Sequence, residues 1–261
     1  MKKELEGKVA VVTGAGQGLG AAIASRLAME GADLALCDMN IEMAKKLELQ
    51  LNETYGIKTI SVEADVSKRT QVEIMRDIVI ASFHKVDILI NNAGIAKVCP
   101  IQELDEQTWD RIMDVNLKSV YLCTKTFLPS MIEKRFGKIV SLSSMSAKIG
   151  GRWMTAYSAS KAGIMGFTKS LAREVARFGI CVNCICPGII PTQLWSASKA
   201  DHARKLGKTE KEVDPYYVGN IPLGRLCTPQ DVANIAFFLV SSEASYMTGQ
   251  SVNITGGQHM D

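Results

Sequence analysis

The sequence predicts an α/β fold, a doubly wound parallel sheet in one domain. Short apolar, β-branched runs alternate along the chain with segments of helical periodicity, as in strands joined by crossover helices. The runs are apolar at nearly every position, which is typical of parallel strands buried on both faces. The first run leads directly into a glycine-rich turn and then a helical pattern, so the turn lies between a strand and a helix.

The predicted strands and helices follow one another in regular order along the chain. The first strand is expected at 8–13, and the helix after the glycine-rich turn leads to Gly31. Further strands are expected at 33–38, 57–63, 86–90, 138–142, 180–186 and 250–254. The other helices are expected at 41–55, 68–84, 107–135, 155–178 and 228–240. Because the alternation persists to the end of the chain, one sheet accounts for all of it.

Length and composition fit a single domain that spans residues 1–261. The chain is 47% hydrophobic and 22% charged, so it can bury a sizeable core. Only one interval, at about 188–222, breaks the alternation, since it has no strong strand pattern. It follows the carboxyl end of a strand, where open α/β sheets bind ligands, so we expect a substrate lid there. A solvated helical connection with surface charge is the alternative.

Composition also argues against several classes of protein. The net charge is +3, and the 30 Lys and Arg are spread along the chain, so no nucleic-acid surface is expected. No apolar run approaches the roughly 18 residues that a membrane span needs. The N-terminal segment does not have the pattern of a signal peptide. Seven cysteines without a spaced framework indicate reduced thiols and a cytoplasmic protein.

The cysteines do not predict a metal site. Cys181, Cys184 and Cys186 fall in a predicted buried strand, with the second and third on the opposite side from the first. No second Cys or His pair has the spacing of a zinc site, so we interpret them as small core residues.

The glycine-rich turn predicts a phosphate site, and the acid after the second strand predicts which dinucleotide binds. Glycines let the backbone approach a pyrophosphate whose charge the helix N-terminus favours; the turn has four, at Gly14, Gly16, Gly18 and Gly20. Asp38 ends the second strand, where a carboxylate can accept hydrogen bonds from ribose hydroxyls and would repel a 2′-phosphate. Gln17 is uncharged, and no Lys or Arg lies at 37–39. The sequence therefore favours NAD over NADP.

Polar residues follow the next two strands as well. Asp65 and Val66 come after the third strand, and residues 91–94, Asn-Asn-Ala-Gly, come after the fourth. An Asp or Asn at a strand end often only caps the following helix. Three polar clusters at the same edge of the sheet favour a ligand instead.

Ser144, Tyr157 and Lys161 have the spacing of a proton-transfer site. On a helix that starts near residue 155, Tyr157 and Lys161 lie one turn apart on the same face. A phenol has a pKa of about 10, and a nearby ammonium lowers that pKa by favouring the phenolate. A serine hydroxyl can then hold a substrate oxygen while the phenol takes or gives the proton. The same helical pair also occurs as an ordinary surface contact, so its meaning depends on the glycine-rich turn and the strand-end clusters.

These motifs together resemble the short-chain dehydrogenase/reductase family. The shared positions cover almost the whole chain in the order of the family, and none departs from the family pattern: Thr13-Gly14-x-x-x-Gly18-x-Gly20, Asp65, Asn91–Gly94, Asn116, Ser144, Tyr157-x-x-x-Lys161 and Pro187-Gly188. The resemblance implies a Rossmann-like sheet with strand order 3-2-1-4-5-6-7 and a nicotinamide dinucleotide as hydride carrier.

The resemblance also implies roles for individual residues. Tyr157 would be the acid/base, Lys161 would lower its pKa and bind the nicotinamide ribose, Ser144 would hold the substrate oxygen, and Asn116 would support a water-linked proton relay. The implied cofactor-binding residues are Gly14, Gln17, Gly18, Leu19, Asp38, Asp65, Val66, Asn92, Ala93, Gly94, Tyr157, Lys161, Pro187, Gly188, Ile190 and Thr192. A small-molecule alcohol or ketone would be the substrate.

The substrate is narrowed by weaker signals. Local stretches resemble polyol dehydrogenases of the family, including those that act on sorbitol 6-phosphate, and the basic residues Lys97, Lys148 and Arg152 with the lid cations would suit a phosphate. Trp195 and His202 lie in the predicted lid and are further candidates for substrate contact. Solvated side chains are the alternative for the cations.

Other functions stay open at this point. A dehydrogenase for butanediol and acetoin or another small diol fits almost as well, and a 3-oxoacyl or hydroxysteroid reductase fits less well because Asp38 disfavours NADPH. A non-catalytic dinucleotide-binding redox sensor is the hypothesis from another class, and the intact Ser144, Tyr157 and Lys161 argue against it. The helix at 155–178 carries apolar and small residues on more than one face, and a homotetramer is the family expectation.

Overall fold

The computed structural model describes residues 3–261, so the first two residues of the predicted domain and N-terminal segment lie outside it. One parallel sheet of seven strands has the order β3-β2-β1-β4-β5-β6-β7, as the resemblance implied. The strands are β1 (Val9–Thr13), β2 (Asp33–Asp38), β3 (Thr59–Glu63), β4 (Ile88–Asn91), β5 (Gly137–Leu142), β6 (Ile180–Pro187) and β7 (Ser251–Ile254). The α/β doubly wound prediction is confirmed.

Helices connect the strands on both faces of this sheet. They are α1 (Gly18–Met29), α2 (Ile41–Tyr55), α3 (Arg69–Phe83), α4 (Glu106–Met113), α5 (Ser119–Lys134), α6 (Ser146–Ile149), α7 (Thr155–Val175), α8 (Gln193–Leu206), α9 (Glu210–Val218) and α10 (Pro229–Val240). Predicted and observed ends differ by one or two residues for most elements. The interval at 188–222 forms α8 and α9 and contains no strand.

The sheet is buried on both faces because successive side chains of each strand point in opposite directions. In β1, Ala10 and Val12 pack in one apolar cluster with α1, α2 and α10. Val9 and Val11 pack in the other with α3, α5 and α7. A strand with both faces covered needs apolar residues at every position, which explains the continuous runs in the sequence.

One predicted helix differs in shape. The segment expected as a single helix at 107–135 consists of α4, a π-helical turn at Asp114–Lys118, and α5. The backbone N–H of Ser119 donates to the carbonyl of Asp114, five residues earlier. The wide turn contains Asn116, whose side chain is fully buried and bonds to the chain after β4. Single π-helical turns inside α-helices often occur at functional sites.

Some classes of feature do not occur in the described part of the chain. No helix within 3–261 is both long enough and apolar enough to cross a lipid bilayer. Over the same residues, no three His, Cys, Asp or Glu side chains group closely enough to hold a metal ion. The seven cysteines are free thiols.

Candidate active site

A cavity of about 480 Å³ opens at the carboxyl ends of the strands, where the strand order reverses between β1 and β4. Open α/β sheets bind ligands at this place, since the loops on the two sides diverge there. Every residue that the resemblance assigned to the cofactor lines the cavity: Gly14, Gln17, Gly18, Leu19, Asp38, Asp65, Val66, Asn92, Ala93, Gly94, Tyr157, Lys161, Pro187, Gly188, Ile190 and Thr192. Ser144, Trp195 and His202 line it as well.

The turn between β1 and α1 has the geometry of a phosphate loop. Gly14 and Gly18 adopt the left-handed backbone conformation, with φ of 64° and 57°. A Cβ on Gly20 would lie 2.0 Å from the carbonyl oxygen of Gly14, so this position accepts glycine alone. The first turn of α1 carries no acidic residue, and Gln17 makes no side-chain cap. The N–H groups at the helix start are therefore available to a pyrophosphate, and the cavity fits a dinucleotide there.

Asn92 and Thr13 hold the loop after β4 against this turn. The Asn92 Nδ2 atom donates to the carbonyls of Thr13, at 2.9 Å, and Gly14, at 3.0 Å. The Thr13 hydroxyl accepts from the backbone N–H groups of Asn92 and Ala93. These bonds fix the two strand-end loops that form one wall of the cavity.

Asp38 lies at the far end of the same wall. One carboxylate oxygen accepts from the Gly16 N–H at 2.8 Å and the other from the Asn40 N–H at 2.9 Å. Each oxygen keeps a free lone pair for a further donor. Neither Lys nor Arg lines the cavity at this end, and a carboxylate without a cation beside it is suited to ribose hydroxyls and unsuited to a phosphate.

Asp65 is held by a contact that the sequence did not reveal. The Arg111 guanidinium, on α4, lies 3.3 Å from Oδ2 of Asp65 and donates to the Ser67 hydroxyl at 2.8 Å. Burial opposes ionisation of Asp65, but hydrogen bonds from Ser67 and the charge of Arg111 outweigh it and hold its pKa below the ordinary value. Asp65 is therefore ionised and fixed at the cavity wall next to Val66.

Tyr157 and Lys161 lie one turn apart on α7, as the spacing predicts. The Lys161 ammonium lies 5.7 Å from the centre of the Tyr157 ring and donates to the carbonyl of Leu142 at 2.6 Å. Burial lowers the pKa of Lys161 to about 8 and raises the pKa of Tyr157, whereas the hydrogen bond from Ser144 lowers the Tyr157 pKa. The Ser144 hydroxyl oxygen accepts from the Ser146 N–H at 3.1 Å, and its own proton points to the Tyr157 oxygen.

Asn116 lies behind this group and does not line the cavity. Its side chain bonds both ways with the backbone of Ile95: Oδ1 accepts from the N–H at 2.8 Å, and Nδ2 donates to the carbonyl at 2.9 Å. Nδ2 also donates to the Ser160 hydroxyl at 3.0 Å. A Cβ on Gly94 would lie 3.4 Å from both Asn116 Oδ1 and Lys161 Nζ, so both side chains pack against Gly94.

An aromatic group closes the lid end of the cavity. The His202 ring is 5.1 Å from the Trp195 ring and 5.6 Å from the Tyr217 ring, measured between centroids. The Tyr217 hydroxyl lies 3.0 Å from His202 Nδ1, and the Trp195 indole N–H donates to Asp214 at 2.9 Å. The sequence did not single out Tyr217 or Asp214, although two adjacent tyrosines in the lid segment were a usable signal.

The basic residues considered for a phosphate lie elsewhere. Neither Lys97 nor Arg152 is part of the cavity lining. Lys97 pairs with Asp201 at 3.3 Å, and the Arg152 guanidinium stacks 4.2 Å from the Trp153 ring. Lys148 pairs with Asp261 at 2.8 Å. The structure thus brings together the expected cofactor residues, Ser144, Trp195 and His202, and leaves these three cations outside.

Comparison with known proteins agrees with this geometry. The short chain dehydrogenase family model matches residues 8–203. The 3-oxoacyl-[acyl-carrier-protein] reductase FabG of Staphylococcus epidermidis is 35% identical over 253 residues, which cover 97% of this chain and 99% of that protein. The (2S)-[(R)-hydroxy(phenyl)methyl]succinyl-CoA dehydrogenase subunit BbsD of Thauera aromatica is 33% identical over 258 residues, 98% of each chain.

A solved structure is similar throughout. The crystal structure of an NAD⁺-bound xylitol dehydrogenase superposes with a TM-score of 0.93 at 34% identity, covering 98% of this chain and 100% of the other. The family match covers most of the sheet. The cavity at the carboxyl ends of its strands suits a dinucleotide and contains a proton-transfer group. This chain therefore belongs to the short chain dehydrogenase family, and it is an oxidoreductase that uses a nicotinamide dinucleotide to act on an alcohol or a ketone.

Proposed function

We propose that this enzyme is an NAD-dependent dehydrogenase that interconverts a secondary alcohol of a polyol or sugar alcohol with its ketone. The observation that carries the proposal is a single cavity that contains Ser144, Tyr157 and Lys161 together with the phosphate loop and Asp38. A protein that only bound the dinucleotide would need the loop and the acid but not the proton-transfer group.

The proposed cofactor site extends from Asp38 to Thr192. Asp38 would accept hydrogen bonds from the adenosine ribose hydroxyls, and Asp65 and Val66 would contact the adenine. The start of α1, with Gly18 and Leu19, would hold the pyrophosphate. Residues 92–94 support the middle of the cofactor, and residues 187–192 contact its nicotinamide end. When bound, the nicotinamide would supply the hydride chemistry, as acceptor in oxidation and donor in reduction.

Proton transfer is the work of the chain's own residues. The Ser144 hydroxyl donates to the substrate oxygen and positions it beside Tyr157. In oxidation the Tyr157 phenolate accepts the hydroxyl proton on its phenol oxygen, and in reduction the neutral phenol donates it. The Lys161 ammonium favours the phenolate and binds the nicotinamide ribose. Asn116 holds the π-helical turn in place and supports a water-linked relay that returns the proton to solvent.

We propose a preference for NAD over NADP because of the negative charge of Asp38. Both oxygens of the Asp38 carboxylate are held by backbone N–H groups and face the cavity without a cation beside them. A 2′-phosphate would be placed against this negative charge, whereas ribose hydroxyls would donate to it. The similarity to an NAD⁺-bound structure supports the same choice.

A polyol is proposed because an NAD⁺-bound xylitol dehydrogenase is a similar solved structure, with a TM-score of 0.93. A 3-oxoacyl reductase is the second candidate, since the FabG proteins are 35% identical over nearly the whole chain. Small diols, hydroxysteroids and sorbitol 6-phosphate remain further candidates for the same chemistry. The whole chain would act as one catalytic domain with a substrate lid at about 188–222, and the free thiols fit a cytoplasmic enzyme.

The test is a substrate screen that follows NADH absorbance. The purified enzyme is given NAD⁺ with polyols, their phosphates, small diols and hydroxysteroids, and NADH or NADPH with a 3-oxoacyl thioester. We expect polyols to be oxidised with NAD⁺ and NADP⁺ to be a poor substitute. Reduction of the 3-oxoacyl thioester with NADPH as the only efficient reaction would contradict the proposal.

A further inference from the structure

At the lid end of the cavity, the imidazole ring of His202 faces the substrate space. Trp195, Ser198 and His202 line the cavity from α8, at a spacing that places them on one face of the helix. The Trp195 indole N–H is bound to Asp214 at 2.9 Å, and the Ser198 hydroxyl donates to the carbonyl of Trp195 at 2.8 Å. Both groups are thus engaged within the lid, whereas the His202 imidazole has polar capacity to spare.

His202 is held rigidly and has one nitrogen unpaired among the described residues. Only 4% of the residue is exposed, and its Nδ1 lies 3.0 Å from the hydroxyl of Tyr217, which is not part of the cavity lining. Nε2 makes no hydrogen bond to any residue of 3–261. Because the two ring nitrogens lie on different edges, the bond to Tyr217 directs the other edge towards the cavity.

Three charged side chains on α8 and α9 near His202 are already in ion pairs. Asp201, its neighbour on α8, pairs with Lys97 at 3.3 Å and with Arg204 at 3.2 Å. Lys199 pairs with Asp214 of α9 at 2.6 Å. Burial lowers the pKa of His202 more than Asp201 raises it, so the imidazole is neutral near pH 7. In a neutral imidazole, Nε2 is a donor if Nδ1 accepts from the Tyr217 hydroxyl, and an acceptor if Nδ1 donates to it.

The lid end of the cavity has no cation for a charged substrate group. The charged lining residues of the cavity are Asp38 and Asp65, at the proposed adenosine end, and Lys161, at the proton-transfer group. Lys205 of the lid pairs with Glu103 at 3.2 Å, and no Lys or Arg of residues 188–222 lines the cavity. A phosphate at the lid end would meet a neutral imidazole and an indole, and would be desolvated without a partner.

We propose that Nε2 of His202, positioned by Tyr217, hydrogen-bonds a second hydroxyl of an uncharged substrate, so that the enzyme selects polyols and diols over monofunctional alcohols and over sugar phosphates. This rests on the proposed function, because the first hydroxyl is the one held by Ser144 and Tyr157. The inference makes His202 a specificity residue and Tyr217 a positioning residue. Trp195 forms an apolar wall against the carbon chain.

The test compares two isosteric replacements. In His202→Gln the side-chain amide reaches the place of Nε2, whereas in His202→Asn it reaches only the place of Nδ1. Oxidation of xylitol and of 2-pentanol, a five-carbon monofunctional alcohol, is measured with NAD⁺. We expect His202→Asn to lower kcat/KM for xylitol about tenfold, mainly through KM, and to change 2-pentanol less than about threefold. His202→Gln should retain most of the xylitol activity.

Tyr217→Phe checks the positioning role. It should raise KM for xylitol several-fold and leave kcat and NADH binding near the wild-type values, because the ring loses its anchor but not Nε2. Equal losses on xylitol and 2-pentanol in His202→Asn, with NADH binding retained, would overturn the inference and leave the proposed function standing. Faster oxidation of sorbitol 6-phosphate than of sorbitol would overturn it as well. Failure of the wild type to oxidise any alcohol would overturn the proposed function itself.

Discussion

Tyr157 and Lys161 are two ionisable groups whose charged forms are both opposed by burial. Burial raises the pKa of the phenol above its ordinary value of about 10 and lowers that of the ammonium from its ordinary value of about 10.4 to about 8. The two groups titrate as a pair in which the charge of one stabilises the opposite charge of the other. This coupling gives the site its dependence on pH.

The first prediction is that rising pH accelerates alcohol oxidation and leaves ketone reduction nearly unchanged below about pH 9. Alcohol oxidation needs the Tyr157 phenolate, so kcat/KM for oxidation should rise from pH 6 to about pH 9. Ketone reduction needs the neutral phenol, and because burial raises the pKa of Tyr157 above its ordinary value of about 10, reduction should stay nearly level over the same range. Initial rates with NAD⁺ and NADH in a constant-ionic-strength buffer series check this. Oxidation that falls steadily with rising pH would contradict the assignment of the base.

The second prediction concerns Asp38. Asp38→Ala removes charged hydrogen bonds to the proposed ribose hydroxyls, each of which is worth roughly 1.5–3 kcal/mol. We expect kcat/KM for NAD⁺ to fall about 10- to 100-fold and the preference over NADP⁺ to shrink. Glu42→Ala is a matched control, since Glu42 is an exposed acid four positions after Asp38 that pairs with Lys45 and does not line the cavity. An unchanged NAD⁺/NADP⁺ ratio in Asp38→Ala would count against the role.

The residues that the sequence revealed are those whose meaning lies in local spacing. The glycines of the turn and the pair Tyr157 and Lys161 are recognisable because a few positions along one element fix their geometry. Tyr217 and Arg111 were missed because each reaches its partner, His202 or Asp65, from a different element. Lys97 and Arg152 were considered for substrate contact on charge alone, and charge does not say whether a cation is already paired.

At the scale of elements, the phosphate loop depends on the close packing of the first turn of α1, at Gly20, against the backbone of Gly14. The third prediction is that Gly20→Ala abolishes or strongly weakens NADH binding, because its Cβ would lie 2.0 Å from the Gly14 carbonyl oxygen and would push the loop out of position. NADH binding is followed by fluorescence titration. Gly219→Ala is the control, since a Cβ there meets only ordinary contacts of 3.6 and 3.7 Å. Wild-type affinity in Gly20→Ala would show that the turn does not hold the cofactor.

The elements themselves were predictable where periodicity is strong. The strands stood out because burial on both faces demands uninterrupted apolar residues, and α2 and α10 were found to within about one residue. The π-helical turn at 114–118 was not predicted, since one additional residue in a turn hardly disturbs helical periodicity. The reason for that turn, the bonds from Asn116 to Ile95, lies between segments distant in sequence.

At the scale of the whole molecule, the exposed surface of α7 raises the question of assembly. Ala162 and Gly166 are exposed on this helix, and a Cβ on Gly166 would meet no atom within 4 Å in a single chain. Small exposed residues on a helix that is otherwise largely apolar allow another helix to approach closely.

The fourth prediction is therefore a homotetramer in solution that uses this face. Sedimentation at micromolar concentration should give four times the mass of the chain. Gly166→Arg should lower the association state without unfolding the chain, because a single chain has room for the side chain. A monomer at that concentration would contradict the prediction for the wild type, and an unchanged tetramer in the variant would remove α7 from the interface.

The strand order could be anticipated only through family resemblance. Apolar alternation along the chain indicates a parallel sheet but does not say which strands are neighbours. Because the strands are parallel, the loops that follow β1 to β6 all lie at one edge of the sheet. The lining of the lid end, where His202 and Trp195 meet Tyr217, depends on the packing of α8 against α9 and had no signal in strand-end motifs.

The central claim is that Tyr157 transfers the proton while the phosphate loop and Asp38 hold the dinucleotide independently of it. The measurement that tests it most directly is the kcat of Tyr157→Phe on the best alcohol, together with its affinity for NADH. The account predicts that kcat falls about 10²- to 10⁴-fold, the usual contribution of a general acid/base, while the dissociation constant for NADH changes less than about threefold. Turnover within about tenfold of the wild type, with NADH bound equally well, would contradict it.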